Sequence, residues 1–310
     1  MRSATIHAQR ALPLGALVAL IGICIIWAGN AVMLRYAIGI AHLPPIHIAA
    51  GRFIVVAIIL SPLLLKRIEN LPRIFLAGFL IGACHFGFLM MGYARITAVA
   101  SATILQLAIP ATALLSMIFR REPLSWSRLG LVGLATIAVI IAVQGQHGGN
   151  SLDPYGIAYM VLATLALAGG SVLMAGCGPA PALVIQAWTS LGSALILSLI
   201  ATWVEPNGLA QILAQPLLSI EAIVLPAIIV TVIAHTAYYH FLRSHPPSLV
   251  SAMTILFPVL TIIFGATFLG EILSWQFAIG TFCALVLVTL MILRPQHPRL
   301  QSGQISKELS

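Results

Sequence analysis

The sequence predicts an all-α membrane protein of ten transmembrane helices, arranged as two five-helix repeats of inverted orientation. Three observations predict it. Of 310 residues, 60% are hydrophobic and 7% charged, with a mean hydropathy of +1.07; a soluble domain is about half apolar and about a quarter charged, so a soluble globular fold is excluded. The apolar residues fall into long runs broken by charge, Pro or Gly. Finally, a set of polar and special residues recurs once, in the same order, about 150 positions further on. A bilayer core about 30 Å thick needs about 20 apolar residues per helix, so ten spans use about 200 residues and leave short loops without an extramembrane domain.

In order, the spans are Leu14 to Met33, Ile46 to Leu65, Ile74 to Met91, Ala98 to Phe119, Leu129 to Val143, Tyr155 to Met174, Leu183 to Trp203, Ile220 to Leu242, Leu249 to Leu269 and Phe277 to Leu293. The first follows Arg2 and Arg10 as a signal peptide's core would. It is long and polar-ended at Asn30 and Arg35, without a small-residue cleavage site, and is expected to be a permanent span. The fifth is the shortest: fifteen residues cover about 22 Å at about 1.5 Å per residue, and its flanks from Arg128 to Gln144 extend it.

Charge sets the orientation, because cytoplasmic loops carry the excess of Lys and Arg. With the N-terminus inside, twelve of the fifteen basic residues fall on the inner face, Arg35 and Arg95 outside, and Arg52 within the second span. The expectation is a multi-pass protein of the plasma (inner) membrane with both termini cytoplasmic. The net charge of +8 then reads as topology and contact with anionic lipid, not nucleic acid. Cys24, Cys84, Cys177 and Cys283 stand singly, without a CxxC pair or a His at zinc-ligand spacing, and read as packing residues. No metal or cofactor is expected, and the short loops favour a monomer.

The repeat pairs His85 with His235 and Ser101-Ala102 with Ser251-Ala252 at an offset of 150, Pro110 with Pro258 at 148, and Glu122 and Trp126 with Glu271 and Trp275 at 149. This predicts a first repeat over 12–145, a second over 152–294 and a tail over 295–310. Five spans per half make the second half enter from the opposite side, the inverted plan of many secondary transporters. The turn with Arg120, Arg121, Glu122 and Arg128 is then inside. Its counterpart with Glu271 and Trp275 has no Arg and is outside.

Ile26-Trp27-Ala28-Gly29-Asn30 in the first span, Arg52-Phe53 in the second, and the stretches Pro110 to Glu122 and Pro258 to Gly270-Glu271 resemble the EamA-type transporters of the drug/metabolite transporter superfamily, over about Leu14 to Leu293. The resemblance implies ten helices in two inverted bundles around a central cavity and transport of small organic metabolites, often outward. Overall length and His85 in the third span are similar to the YddG-like amino-acid exporters. The sequence departs from a symmetric pattern where Gln186 stands near the position of a second Arg.

Polar groups within hydrocarbon are costly and usually face the bundle interior or a wet cavity, so the intramembrane ones are the candidates. His85 lies midway along the third span, with Gly78, Gly82, Phe88, Leu89 and Gly92 at helical spacing from it, and is either a cavity residue or a packing histidine. Gly78-x-x-x-Gly82 admits a close helix neighbour. His235, with Tyr238 and Tyr239 one turn on, forms the related face of the eighth span; Tyr239 and His240 fit an interfacial belt beside Arg243. Trp27 and Asn30 share a face of the first span. A cavity bordered by His, Phe, Tyr and Leu suits an amphipathic solute.

Arg52, a little over two turns beyond Pro44-Pro45, sits about 10 to 12 Å into the membrane. It either binds a substrate carboxylate or hydrogen-bonds backbone carbonyls and locks the first bundle, the structural role being favoured. Pro110 and Pro258 each remove an N–H and free the carbonyl four residues earlier, at Gln106 and Thr254, giving two equivalent bends that are hinges for alternating access or static kinks. Asp153, Glu205, Glu122 and Glu271 fall in loops, Glu69 beside Lys66 and Arg67, Glu308 in the tail and Glu221 at a span entrance, so proton coupling, if present, rests on His85 or His235.

The expectation is therefore a secondary transporter, not an enzyme, moving a small organic solute, an amino acid above all, with His85, Phe88, Gln106, Trp27, Asn30, His235, Tyr238 and Arg52 at the site. The alternatives are an intramembrane enzyme using His85, His235 and His240, and an exporter of another metabolite or drug coupled to protons through His. No Walker A, GxSxG, HExxH or dinucleotide fingerprint supports catalysis or ATP use.

Overall fold

The computed structural model describes residues 12–66, 69–122, 124–145, 153–177, 181–245, 250 and 253–293. Both termini, the expected tail 295–310 and Ser251-Ala252 of the repeat lie outside them. Helices α1 (Leu14–Ile40), α2 (Pro45–Ile59), α3 (Leu71–Tyr93), α4 (Ala98–Phe119), α5 (Trp126–Gln144), α6 (Pro154–Met174), α7 (Ala182–Val204), α8 (Pro216–Tyr238), α9 (Leu256–Leu269) and α10 (Trp275–Leu293) fall on the expected spans. Among the described residues, eight helices are long and apolar enough to cross a membrane, while α2 and α9 are shorter. The second span, expected to reach Leu65, ends as α-helix at Ile59 and tightens into a 3₁₀ turn over Ser61–Leu65, because Pro62 offers no N–H to the Ile58 carbonyl, which accepts the Ser61 hydroxyl at 2.8 Å instead. The fifth lengthens to 19 residues.

Polar side chains start the helices. Thr97 accepts the Ala100 N–H at 3.1 Å, Ser125 the Arg128 N–H at 3.3 Å, Asp153 the Tyr155 N–H at 2.9 Å and Ser274 the Phe277 N–H at 3.1 Å, each satisfying a donor that the first helical turn leaves open. The stops recur as well. The Glu122 N–H reaches the Ser116 carbonyl at 3.4 Å and the Glu271 N–H the Gly265 carbonyl at 3.2 Å, with Arg121 and Gly270 in the left-handed region at φ 55° and 64°. Ser116 and Gly265, Arg121 and Gly270, Glu122 and Glu271, and Ser125 and Ser274 all stand 149 apart. Ser274, at the start of α10, donates to the Gly145 carbonyl just past α5 at 2.7 Å, while Arg128, near the start of α5, reaches the Met291 carbonyl near the end of α10 at 3.3 Å. Helices α5 and α10 are thus antiparallel, and the two recurring turns lie at opposite ends of the bundle.

The principal pairings are α2 with α7, α5 with α10, α4 with α9, α3 with α6 and α7, α8 with α1 and α2, α1 with α9, and α4 with α6. Exchanging α1–α5 for α6–α10 maps this set onto itself. The exterior is apolar: Val18, Ile58, Phe119, Leu195 and Phe282 are exposed, as a hydrocarbon solvent requires. Cys24 and Cys177 are buried as expected of packing residues, but Cys283 is exposed, and packing does not explain it.

Gly78 and Gly82 face α7: a Cβ at Gly78 would meet the Thr189 hydroxyl at 2.8 Å, and one at Gly82 would meet Ser193. His85 turns instead to α6. The shared face expected of these residues is broken because Phe79–Cys84 is π-helical, and the wider winding offsets the two parts of α3. Replacing Gly82 by Ala should destabilise the protein by about 1–3 kcal/mol through overpacking. Gly133→Ala, where a Cβ meets nothing within 4 Å, should cost nothing and stabilise by up to about 1 kcal/mol; thermal unfolding in detergent compares the two.

Candidate functional site

Arg52 is 1% exposed. Its Nε and Nη2 donate to the Thr231 hydroxyl of α8 at 3.0 and 2.8 Å, and Thr231 donates onward to the Pro226 carbonyl at 3.2 Å. The guanidinium lies 4.6 Å from the centre of the Phe86 ring, a cation–π contact; Phe86 packs against His85 and Phe53 with ring centres 4.9 and 5.2 Å away. Arg52 therefore bonds a side-chain hydroxyl across the bundle, not the backbone carbonyls expected of a structural arginine. Its Nη1 is buried without a hydrogen-bond partner among the described residues.

The His85 ring Nδ1 stands 2.9 Å from the Ala163 carbonyl. A carbonyl only accepts, so Nδ1 carries the proton and Nε2 is the position open to proton gain. On α8, the π-helical stretch Pro226–Ala234 ends at His235 as Phe79–Cys84 ends at His85, and π-helical insertions are frequent at functional sites. The Trp27 ring centre lies 5.4 Å from that of His235, 5.2 Å from that of Tyr238 and 6.4 Å from that of Phe257 of α9. Trp27 Nε1 and Asn30 Oδ1 are buried and have no hydrogen-bond partner among the described residues.

The structure thus joins Trp27, His235 and Tyr238 in one aromatic cluster and Arg52 and His85 in another. Among the described residues, no ring or hydrogen-bond contact ties Phe88 or Gln106 to them. Phe88 stacks on Tyr159 at 6.3 Å, beside Arg95 at one end of the bundle. Gln106 is buried where α4 breaks. Gln186 donates to Ser190 on its own helix at 3.2 Å, and the side chain of Tyr239 lies outside the described residues.

Both prolines are buried, and the helices are interrupted at Gln106–Leu107 and Thr254–Ile255. The two carbonyls are taken up again three residues on, Gln106 by the Ile109 N–H at 3.4 Å and Thr254 by the Phe257 N–H at 3.0 Å. They are shorter-looped bonds of 3₁₀ type, so neither carbonyl is left wholly free for a solute as the sequence had suggested. A pocket of about 400 Å³, lined by His42, Pro45, Glu205, Asn207 and Gln211 among others, lies at the start of α2 and contains none of the expected site residues.

Sequence reasoning missed Thr231, Phe86 and Phe257. Nothing in a run of apolar residues marks Thr231 as the partner of an arginine 179 positions away, although a hydroxyl in a span is itself a polar signal. Outside the spans, Arg95 and Asp153 pair at 2.7 Å, and that bond holds the Asp153 carboxyl below its ordinary range. The stabilisation is present above the usual carboxylate pKa and is lost as pH falls through the lowered value.

A multi-pass bundle with an apolar exterior and its polar side chains turned inward has the build of a membrane transporter. The chain belongs to the EamA-like transporter family, which matches residues 14–144 and again 154–293. It is 29% identical over 287 residues to an "uncharacterized inner membrane transporter YedA" of Escherichia coli K12, covering 88% of this chain and 90% of that protein. It is 25% identical over 274 residues to an "uncharacterized transporter" of Archaeoglobus fulgidus, covering 86% and 94%. A solved crystal structure shares the fold at a TM-score of 0.56 and 14% identity, over 90% of this chain and 97% of that one.

Thr231→Val leaves two buried guanidinium N–H groups without their acceptor and should cost about 1.5–3 kcal/mol. Thr231→Ser, which keeps the hydroxyl, should cost less. Unfolding of both variants in detergent measures the difference.

Proposed function

We propose that the protein is a secondary transporter that moves a small organic metabolite, an amino acid with an apolar or aromatic side chain fitting best, outward across the inner membrane. It works by alternating access between two inverted five-helix halves, 12–145 and 152–294, with both termini cytoplasmic. The observation that carries this reading is that three of the buried polar atoms without a hydrogen-bond partner among the described residues fall on the candidate residues: donors at Arg52 Nη1 and Trp27 Nε1 and an acceptor at Asn30 Oδ1. A buried polar group left unpaired is costly. By type these atoms suit a zwitterion, a carboxylate for the donors and an ammonium for the acceptor, and the His235, Tyr238 and Phe257 rings around Trp27 suit an apolar side chain.

Two matches to one family, the antiparallel α5 and α10, and the symmetric pairings support the two halves. Contacts between helix ends support ten alternating spans: Arg95 with Asp153, Gln215 with the Ala41 carbonyl, and Ser274 with the Gly145 carbonyl each join connections that such spans put on one face. The paired interruptions near Pro110 and Pro258 support a rocking motion about α4 and α9. His85 Nε2 is the position through which protons would couple.

Labelled amino acids should enter proteoliposomes down their own gradient, and Arg52→Met should lower apparent affinity by about tenfold or more, the loss of a charge-assisted contact. Stimulation by an imposed pH gradient, if present, should vanish in His85→Ala. No flux for any amino acid would discard the amino-acid assignment and leave a transporter of another metabolite. Replacing Pro110 and Pro258 together by Ala should slow exchange more than it weakens binding; unchanged exchange would remove the hinge.

A further inference from the structure

Glu205 and Glu271 belong to the second family-matched stretch, yet their carboxylates complete helices of the first. Glu205 Oε1 accepts the Ile46 N–H at 2.9 Å and Oε2 the His47 N–H at 3.0 Å, in the first turn of α2, with the His47 ring Nδ1 2.8 Å from the same oxygen. Glu271 Oε1 accepts the Ala98 N–H at 2.7 Å and Oε2 the Val99 N–H at 2.9 Å, in the first turn of α4. Arg35, 3.9 Å from Glu271, donates to the carbonyl of Tyr93, the last residue of α3, at 2.7 Å. All these groups lie where α2 and α4 begin and α1 and α3 end, at one end of the bundle.

Both carboxylates are withdrawn from solvent, with side chains 12% and 7% exposed. Glu122, the counterpart of Glu271 149 residues earlier, lies at the opposite end; its side chain is 47% exposed and paired at 2.8 Å with Arg120 of its own turn. Gly265 makes room for Glu271, since a Cβ there would meet Glu271 Oε2 and Val99 Cγ2, each at 2.9 Å. Its counterpart at the other end is Ser116, which carries a Cβ. A buried carboxylate on two backbone N–H groups at a helix start is a strong, charge-assisted contact, whereas an exposed pair contributes little.

We infer that Glu205 and Glu271 are the closure of this end of the transporter, shut in this structure, and that the end opens when both carboxylates leave the helix starts of α2 and α4. The second stretch cannot swing away from the first while they are bonded. Once the end is wet, water satisfies the released N–H groups and carboxylates, so letting go costs far less here than mid-membrane. The pocket of about 400 Å³ beside Glu205 gives its segment room to move. The inference rests on the alternating-access reading above and is independent of the solute.

Spin labels at Tyr36→Cys and Leu209→Cys, both exposed at this end on the two stretches, report its width in the full chain with the four native cysteines replaced, in lipid nanodiscs. The parent should give one short separation. E205Q/E271Q should add a longer one, the open-to-closed ratio rising about tenfold per carboxylate lost. Gly265→Ala, which leaves both charges in place, should shift the distribution the same way, and Glu122→Gln should leave it unchanged. Distributions in E205Q/E271Q and Gly265→Ala identical to the parent, or an equal shift in Glu122→Gln, would overturn the inference. If the double variant fails to fold, E205Q and E271Q singly are read by the same criterion.

Discussion

In hydrocarbon a helix must satisfy its own backbone hydrogen bonds, and this structure is organised around the places where it cannot. Pro110 and Pro258 each remove a donor from a span. The chain answers both losses identically, by interrupting the helix at Gln106 and Thr254 and closing the carbonyl onto the N–H three residues on. Helix starts pose the same problem at the bundle's ends, and there Thr, Ser and Asp caps, together with Glu205 and Glu271 from another part of the chain, supply the acceptors.

The interior follows the same logic with side chains. Arg52 is buried, so it is anchored to Thr231 and laid on Phe86; these contacts bind α2, α3 and α8 into one unit. The π-helical turns before His85 and His235 rotate each histidine out of the register that its helix would otherwise give it. His85 thereby meets the Ala163 carbonyl of α6, and His235 the Trp27 ring of α1. Among the described residues, buried polar atoms on Trp27, Asn30 and Arg52 have no hydrogen-bond partner, and the proposed solute site is built from them.

Much of this was legible in the sequence because it depends on residue type and spacing. Apolar runs placed the eight helices that are long enough to cross a membrane and the shorter α2 and α9, and the proline positions placed both helix interruptions at Gln106 and Thr254. The recurrence of Glu122 and Trp126 at Glu271 and Trp275 pointed to turns that the structure repeats down to the left-handed residue. Among the site residues, Trp27, His235 and Tyr238 do meet. Local reasoning failed where a long-range contact or a change of winding decides. Helical spacing put Gly82 and His85 on one face, but the π-helical turn separates them. Phe88 was drawn to Tyr159, and Thr231 gave no sign of its partner. Glu205 and Glu271 do fall in loops as the sequence indicates, but nothing near them in sequence shows that α2 and α4 supply their partners.

The most direct test is a structure of the protein in a lipid nanodisc with a bound amino acid that it transports. The account predicts solute density in the interior, its carboxylate on Arg52 Nη1 and Trp27 Nε1 and its ammonium at Asn30 Oδ1. Density confined to the peripheral pocket beside His42, Asn207 and Gln211, with those three interior atoms still unpaired, would contradict it.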